Sequence, residues 1–283
     1  AIVPPKFVEE QGADYVSATN MPGTGPYKIV EYKKDDSLTL EAFDGYWGEA
    51  PKIKTLVYRI IPDEATRLAE FLSGGVDVLT LQPSQVAAVQ GNPDLTVYPT
   101  GVPTVSGLRL DAKKAPTDNV KVRAAICHAI DTQTVIDTIL QGYATPMAVW
   151  QSPYSFGYDP ELQPYAYDPE MAKQLLAESG VADPTLVYNV IGDDATAKEI
   201  ANVVKGMLEA VGFTVTIAQK ERATYFDDYR AGKLDNIVPF GWGGWTLDAD
   251  NTYYSMYYTG ESYNPSFSDP ALDAILDEQR STL

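Results

Sequence analysis

Apolar residues recur along the chain with two spacings, one typical of strands and one typical of helices. The two alternate most clearly after Thr185, where an apolar run at 186–191 predicts a strand. The following segment has apolar residues three and four positions apart and ends at Gly212, which predicts a helix with one buried face. A second apolar run at 213–218 predicts another strand. This strand–helix–strand order predicts a parallel sheet.

The same order continues beyond that unit, with a helix predicted at about 224–231 and a strand at 236–240. Asn119 and Asp168 can each cap a further helix, because their side chains accept hydrogen bonds from the first helical amides. Between those helices, residues 144–168 are rich in Pro and Tyr and predict a long surface loop. Loops of that length in a compact domain are often functional.

The first part of the chain has shorter elements. Strands are predicted at 27–32, 37–43, 56–61 and 76–81. Asp63 can cap a helix that Gly74-Gly75 ends. Val102-Pro103-Thr104 marks the change to longer helices, so we expect a boundary there. The sequence predicts an α/β fold in two parts, with mixed β structure and short helices at 1–102 and strand–helix–strand units at 103–283.

The charge of the chain excludes several kinds of partner. Its 283 residues contain 21 Lys and Arg against 39 Asp and Glu, a formal net charge of −18. Nucleic-acid binding needs clustered basic residues, and no basic stripe is present in the sequence. The same charge disfavours an anionic membrane surface. No run of about 18 apolar residues predicts a membrane-spanning helix.

Catalytic and metal-binding motifs are missing from the sequence. The single Cys, Cys127, and the single His, His128, are adjacent, so on a helix their side chains point about 100° apart and cannot act as a nucleophile and its base. There is no CxxC, P-loop or GxGxxG motif, and we expect neither metal nor cofactor. Residues 248–251 resemble the opening of a calcium loop, but Thr252 and Tyr253 stand where Asp or Asn and Gly are needed.

The segment from Gly241 to Asn251 is the candidate ligand site. It follows a predicted strand, and ligands of open α/β sheets bind beyond the carboxyl ends of strands. Trp242 and Trp245 lie in a glycine-rich loop, with Asp248 and Asp250 shortly after. Apolar walls with a few polar groups are typical of small-molecule pockets. The alternative is that one of the two tryptophans fills the core beneath the loop.

A series of short motifs then occurs in one order along the whole chain. They are Gly23-Thr24-Gly25-Pro26-Tyr27-Lys28, Tyr46-Trp47-Gly48, Pro51-Lys52-Ile53, Asp63-Glu64-Ala65-Thr66-Arg67, Gly75-Val76-Asp77, Val120-Lys121-Val122-Arg123-Ala124-Ala125-Ile126, Ala129-Ile130-Asp131, Gly142-Tyr143-Ala144-Thr145-Pro146, Tyr167-Asp168-Pro169 and Gly241-Trp242. This run resembles the extracellular solute-binding proteins of family 5, the peptide/nickel/opine class of ABC importers.

The resemblance implies a type II periplasmic-binding-protein architecture, in which two lobes close around a small solute. It implies a protein that is not an enzyme, lies in the periplasm or outside the cell, with a lipid anchor as one option, and delivers its solute to a membrane permease. Residues 1–102 would belong to an incomplete first lobe and 103–283 to most of the second. Against the family's plan, we expect the chain to be an internal fragment.

The resemblance also bears on the solute. Peptide binders of the family have a Gly-Trp-x-x-Asp pattern whose Asp pairs with the peptide ammonium. Aligned without a gap, Trp245 stands at that position. An indole there favours stacking on a sugar ring or a cation–π contact over a standard peptide. With a three-residue insertion, Asp248 becomes the ammonium anchor instead. Arg109 can meet a ligand carboxylate or form a structural salt bridge.

Two functions of other classes stay open at this point. Carboxylates beside tryptophans also occur in the clefts of carbohydrate-acting enzymes. A ligand-sensing domain of a signalling receptor would have the same binding lobe. We therefore expect a solute-binding component whose solute is a peptide or an oligosaccharide, with these two as alternatives.

Overall fold

The computed structural model describes residues 4–12, 22–243 and 246–282. The chain divides into two compact units, one running up to Leu81 and one beginning at Gln82. The lobe boundary at residue 102 concerns a complete two-lobed protein and stays a prediction. None of the helices in these three described ranges is both long and apolar enough to span a bilayer.

The first unit is built on a three-stranded antiparallel sheet in the order β1-β2-β3. Its elements are α1 (Pro5–Gln11), β1 (Tyr27–Lys33), β2 (Ser37–Ala42), β3 (Thr55–Arg59) and α2 (Glu64–Leu72). Asp63 caps α2 as predicted, because its carboxylate accepts a hydrogen bond from the amide of Thr66 at 2.7 Å.

The strand predicted at 76–81 is wrong. Residues 76–81 pair with no strand in the described part of the chain, and Val78 is 88% exposed. An extended segment becomes a strand only when a neighbour takes up its backbone hydrogen bonds. The apolar run contains no information about that neighbour.

The second unit is an α/β sandwich around a four-stranded sheet in the order β4-β7-β5-β6. Its elements are α3 (Val86–Val89), β4 (Thr104–Leu110), α4 (Val120–Ala129), α5 (Thr132–Thr138), α6 (Pro169–Ser179), β5 (Thr185–Ile191), α7 (Ala195–Ala210), β6 (Thr214–Lys220), α8 (Arg222–Arg230), β7 (Ile237–Gly243), α9 (Ala249–Tyr257) and α10 (Pro270–Ser281). The parallel sheet is confirmed, since β5 pairs in parallel with β6 and β7. An antiparallel edge strand, β4, completes it.

Alternating residues of the strands are buried on the two faces of this sheet. Leu186 and Val190 of β5 belong to the main core, together with Val122 and Ile126 of α4 and Leu208 of α7. On the other face, α8 contributes Tyr225 and Tyr229 to a smaller cluster with Val238 of β7. The sheet is therefore covered on both sides, which is the arrangement that βαβ connections produce.

We predict that Leu208→Ala destabilises the second unit by about 2–5 kcal/mol, because the side chain has no exposed surface and its removal leaves a cavity. The matched control is Leu162→Ala, at a leucine that is 44% exposed, with an expected change within about 0.5 kcal/mol. Urea unfolding followed by circular dichroism measures both. Equal losses for the two variants would contradict the packing described above.

Candidate functional site

The carboxyl edge of the second unit's sheet is uneven, because β7 runs further than β5. Ile237 of β7 pairs with Tyr188 of β5, and β5 ends soon afterwards at Ile191. β7 continues to Gly243 and stays paired with β4, whose Thr104 lies opposite Gly243. At about 3.3 Å per residue, β7 projects roughly 10 Å beyond the end of β5. The end of β7 therefore forms the tip of a two-stranded ribbon with β4.

An open groove of about 380 Å³ lies at the ends of β5 and β6. Its lining residues are Gly192, Asp193, Gln219, Lys220, Glu221 and Arg222. Arg222 donates two hydrogen bonds to Asp193, at 3.0 and 3.2 Å, and Lys220 pairs with Asp228 at 2.8 Å. The groove thus presents charges of both signs at the position where open α/β sheets bind ligands.

Glu221 is the remaining charged residue of that groove, and it caps α8. The amides of Ala223 and Thr224 hydrogen-bond to its carboxylate and hold its pKa below the usual range. Lys220 in the same way lowers the pKa of the Asp228 carboxyl by donating a hydrogen bond to it. Both acids are therefore ionised at neutral pH.

Trp242, near the end of β7, is buried. Its indole stacks on Phe240 with ring centroids 6.2 Å apart and meets Tyr263 edge-on at 5.2 Å. Its Nε1–H donates to the Thr252 hydroxyl at 3.1 Å. This is the packing role that we considered for one of the two tryptophans, and a ligand contact by Trp242 stays a prediction. Trp245 lies outside the described residues.

The two aspartates of the candidate site have different surroundings. Asp250 pairs with Arg280 through two hydrogen bonds, at 2.6 and 3.0 Å, and the guanidinium lies 3.1 Å from the ring centroid of Tyr254. Asp248 begins α9 and accepts the Asp250 amide hydrogen at 2.9 Å with one oxygen. Within the described ranges no ion pair joins Asp248 to a cation. Asp250 is thus held in an ion pair with Arg280, whereas Asp248 has no ion-pair partner among the described residues.

Arg109 of β4 is buried, with 8% of its surface exposed. Its guanidinium donates to the Tyr229 hydroxyl and the Tyr263 carbonyl, and to the Met256 carbonyl at 3.0 Å. The ring of Phe240 lies 5.5 Å away. The structural role considered from the sequence was a salt bridge, whereas these partners are hydroxyl and carbonyl oxygens. A contact between Arg109 and a ligand carboxylate stays a prediction.

The long loop at 144–168 reaches the candidate site, which the sequence did not show. The amide of Phe156 donates to the carbonyl of Leu247 at 2.8 Å, and Phe156 forms a parallel bridge with Asp248. The side chain of Gln151 is fully buried and donates to the carbonyl of Phe156 at 2.9 Å. The Pro- and Tyr-rich composition of the loop was its only sequence signal.

Cys127 and His128 lie away from this arrangement. Burial raises the pKa of the Cys127 thiol, which disfavours a reactive thiolate. His128 Nδ1 lies 2.9 Å from the carbonyl of Ala166. Across the part of the chain that the structure describes, no three His, Cys, Asp or Glu side chains come together as a metal site.

We predict that Arg109→Met destabilises the second unit by about 2–4 kcal/mol, because it removes the donor to the Met256 carbonyl and to the Tyr229 hydroxyl oxygen, and the Tyr263 carbonyl keeps only the Tyr229 hydroxyl. The control is Arg222→Met, which breaks only a solvent-exposed ion pair and should cost less than about 1 kcal/mol. Urea unfolding of both variants measures the difference. A stable Arg109→Met variant would show that Arg109 does not hold β4, α8 and α9 together.

Comparisons with known proteins agree with this architecture. The dipeptide-binding protein of Escherichia coli is 29% identical over 246 residues, covering 83% of this chain and 45% of the relative. Heme-binding protein A of Haemophilus influenzae is 30% identical over 265 residues, covering 90% of this chain and 48% of the relative. The chain spans about half the length of the curated relatives it matches.

Two solved structures show the same fold. A putative peptide-binding protein, AppA, from Clostridium difficile superposes with a TM-score of 0.86 at 24% identity, covering 99% of this chain and 60% of that one. NikZ from Campylobacter jejuni, solved with Ni(L-His), has a TM-score of 0.87 at 19% identity, covering the same shares of both chains. The predicted fold class, α/β of the type II periplasmic-binding-protein kind, is confirmed.

The family described as bacterial extracellular solute-binding proteins, family 5 Middle, matches residues 1–264. That match covers most of the chain and agrees with the motif order and the fold. The chain belongs to the family 5 extracellular solute-binding proteins.

Proposed function

We propose that this protein is the solute-binding component of an ABC importer, that its solute is a short peptide, and that Asp248 pairs with the peptide's N-terminal ammonium. In this proposal two lobes close around the peptide, and the protein delivers it to permease subunits in the membrane. Its place is the periplasm or the outer face of the cell. A lipid anchor is compatible with this role.

The lack of an ion-pair partner for Asp248 among the described residues supports the peptide ammonium as its partner. An ammonium that leaves water on closure of the lobes costs several kcal/mol unless a carboxylate accepts its hydrogen bonds. Asp248 has one oxygen engaged by the Asp250 amide and no cation partner among the described residues, whereas Asp250 is already bound by Arg280. Of the two aspartates, Asp248 is the better anchor.

The comparisons favour a peptide over a sugar. One reported relative is named for dipeptides and one reported structure is called a putative peptide-binding protein, and none of the four reported proteins is named for a sugar. The oligosaccharide alternative depends on Trp245, which lies outside the described residues.

The enzyme alternative has no support either. Neither reported relative is named as an enzyme, and Asp250 is paired with Arg280 rather than facing Asp248 across a cleft as a second catalytic acid.

We predict that Asp248→Asn lowers dipeptide affinity at least about 30-fold, which corresponds to about 2 kcal/mol for a lost charge-assisted hydrogen bond. Asparagine is as good a helix cap as aspartate, so the start of α9 should be kept. Isothermal titration of the complete mature protein with a dipeptide measures the change. A dipeptide with an acetylated N-terminus should not bind the wild-type protein.

The matched control is Asp269→Asn. Asp269 caps α10 by accepting the amides of Ala271 and Leu272, so this variant makes the same chemical change at the start of another helix. It should bind the dipeptide as the wild type does. Unchanged affinity in Asp248→Asn, or tight binding of the acetylated peptide, would refute the ammonium anchor.

A further inference from the structure

Phe156 is exposed and yet fixed in place. Its ring has 79% of its surface exposed, whereas both its backbone polar groups are bonded, the amide to Leu247 and the carbonyl to the buried Gln151. A backbone held by buried polar groups presents its side chain in a fixed place, which lowers the entropy cost of contact with another molecule. The Gln151 amide is a buried group of this kind.

The backbone on both sides of this contact is in the left-handed region. Gly157 has φ +82°, and a Cβ there would lie 2.9 Å from the Cβ of Ala249, so only glycine fits against the start of α9. Leu247 has φ +55°, which is rare for a residue with a branched side chain. Residues held in such conformations cluster at ligand-binding segments. The two segments that carry Phe156 and Asp248 therefore fit closely and in one register.

The parallel bridge places the backbone of Phe156 directly beside that of Asp248. Bridged backbones lie about 4.8 Å apart, and residues paired across a ladder project their side chains to the same side. The ammonium nitrogen and the side chain of a peptide's first residue are attached to the same Cα atom. A peptide whose ammonium pairs with Asp248 consequently has its first side chain within reach of the Phe156 ring.

We propose that Phe156 contacts the side chain of the first residue of the bound peptide, and that the protein selects peptides that begin with an apolar residue. This inference rests on the proposed function, since it takes Asp248 as the ammonium anchor. Phe156 itself supplies the exposed apolar surface for this contact. Burial of an apolar side chain against this surface removes apolar area of both molecules from water.

Three dipeptides test the inference on the complete mature protein by isothermal titration: leucyl-glycine, seryl-glycine and glycyl-leucine. The wild type should bind leucyl-glycine most tightly. Phe156→Ala should lower the affinity for leucyl-glycine roughly tenfold or more and leave seryl-glycine and glycyl-leucine near their wild-type values. Phe156→Leu, which keeps an apolar side chain, should restore most of the leucyl-glycine affinity.

The matched control is Tyr165→Ala, at another exposed ring of the same loop, 62% exposed and packed edge-on against His128. It should change none of the three affinities. Leucyl-glycine affinity that is unchanged in Phe156→Ala, or an equal loss for all three dipeptides, overturns the role of Phe156 and leaves the proposed function standing if Asp248→Asn still loses affinity. A wild-type protein that binds none of the three overturns the proposed function and this inference together.

Discussion

The single ladder contact between β5 and β7 is the constraint on which the candidate site depends. Beyond the pair Tyr188–Ile237, two buried asparagines take the place of further ladder bonds. Asn189 donates to the Ile237 carbonyl at 3.0 Å, and Asn236 accepts the Val187 amide at 3.0 Å. Buried amides need such partners, so these bonds fix where β7 starts. β7 can then leave the parallel sheet and follow β4 outward.

The aromatic side chains of β7 lie between the interior of the second unit and the candidate site. Phe240 and Trp242 lie on one side of the strand and are covered by Tyr229 and Tyr263. Arg109 stabilises this cluster from within, because its donors are taken up by carbonyl and hydroxyl oxygens. A ligand carboxylate would have to displace those acceptors. The same burial holds Trp242 against the start of α9, and this positions Asp248 at the end of the ribbon.

Local signals in the sequence predicted local structure well. Asp63, Asn119 and Asp168 cap the helices that follow them, since a cap and its amide are two or three residues apart. Contacts between residues that lie far apart in the sequence could not be predicted in this way. The partner of Asp250 is Arg280, and the bridge to Asp248 comes from Phe156, so the different states of the two aspartates depend on the tertiary fold. The strand predicted at 76–81 failed for the same reason.

The net charge of −18 is a poor guide to the site, because most charges there are balanced by neighbours. Arg222 pairs with Asp193, Lys220 with Asp228, and Arg280 with Asp250. Paired charges at short distance exert little net field on a solute, and salt screens the more distant acids of the surface within about 10 Å. In the proposed function, the attraction for the peptide ammonium therefore comes from Asp248 itself. An apolar ring carried on the backbone bridged to Asp248 would make the site selective for the peptide's first residue and not only for its charge.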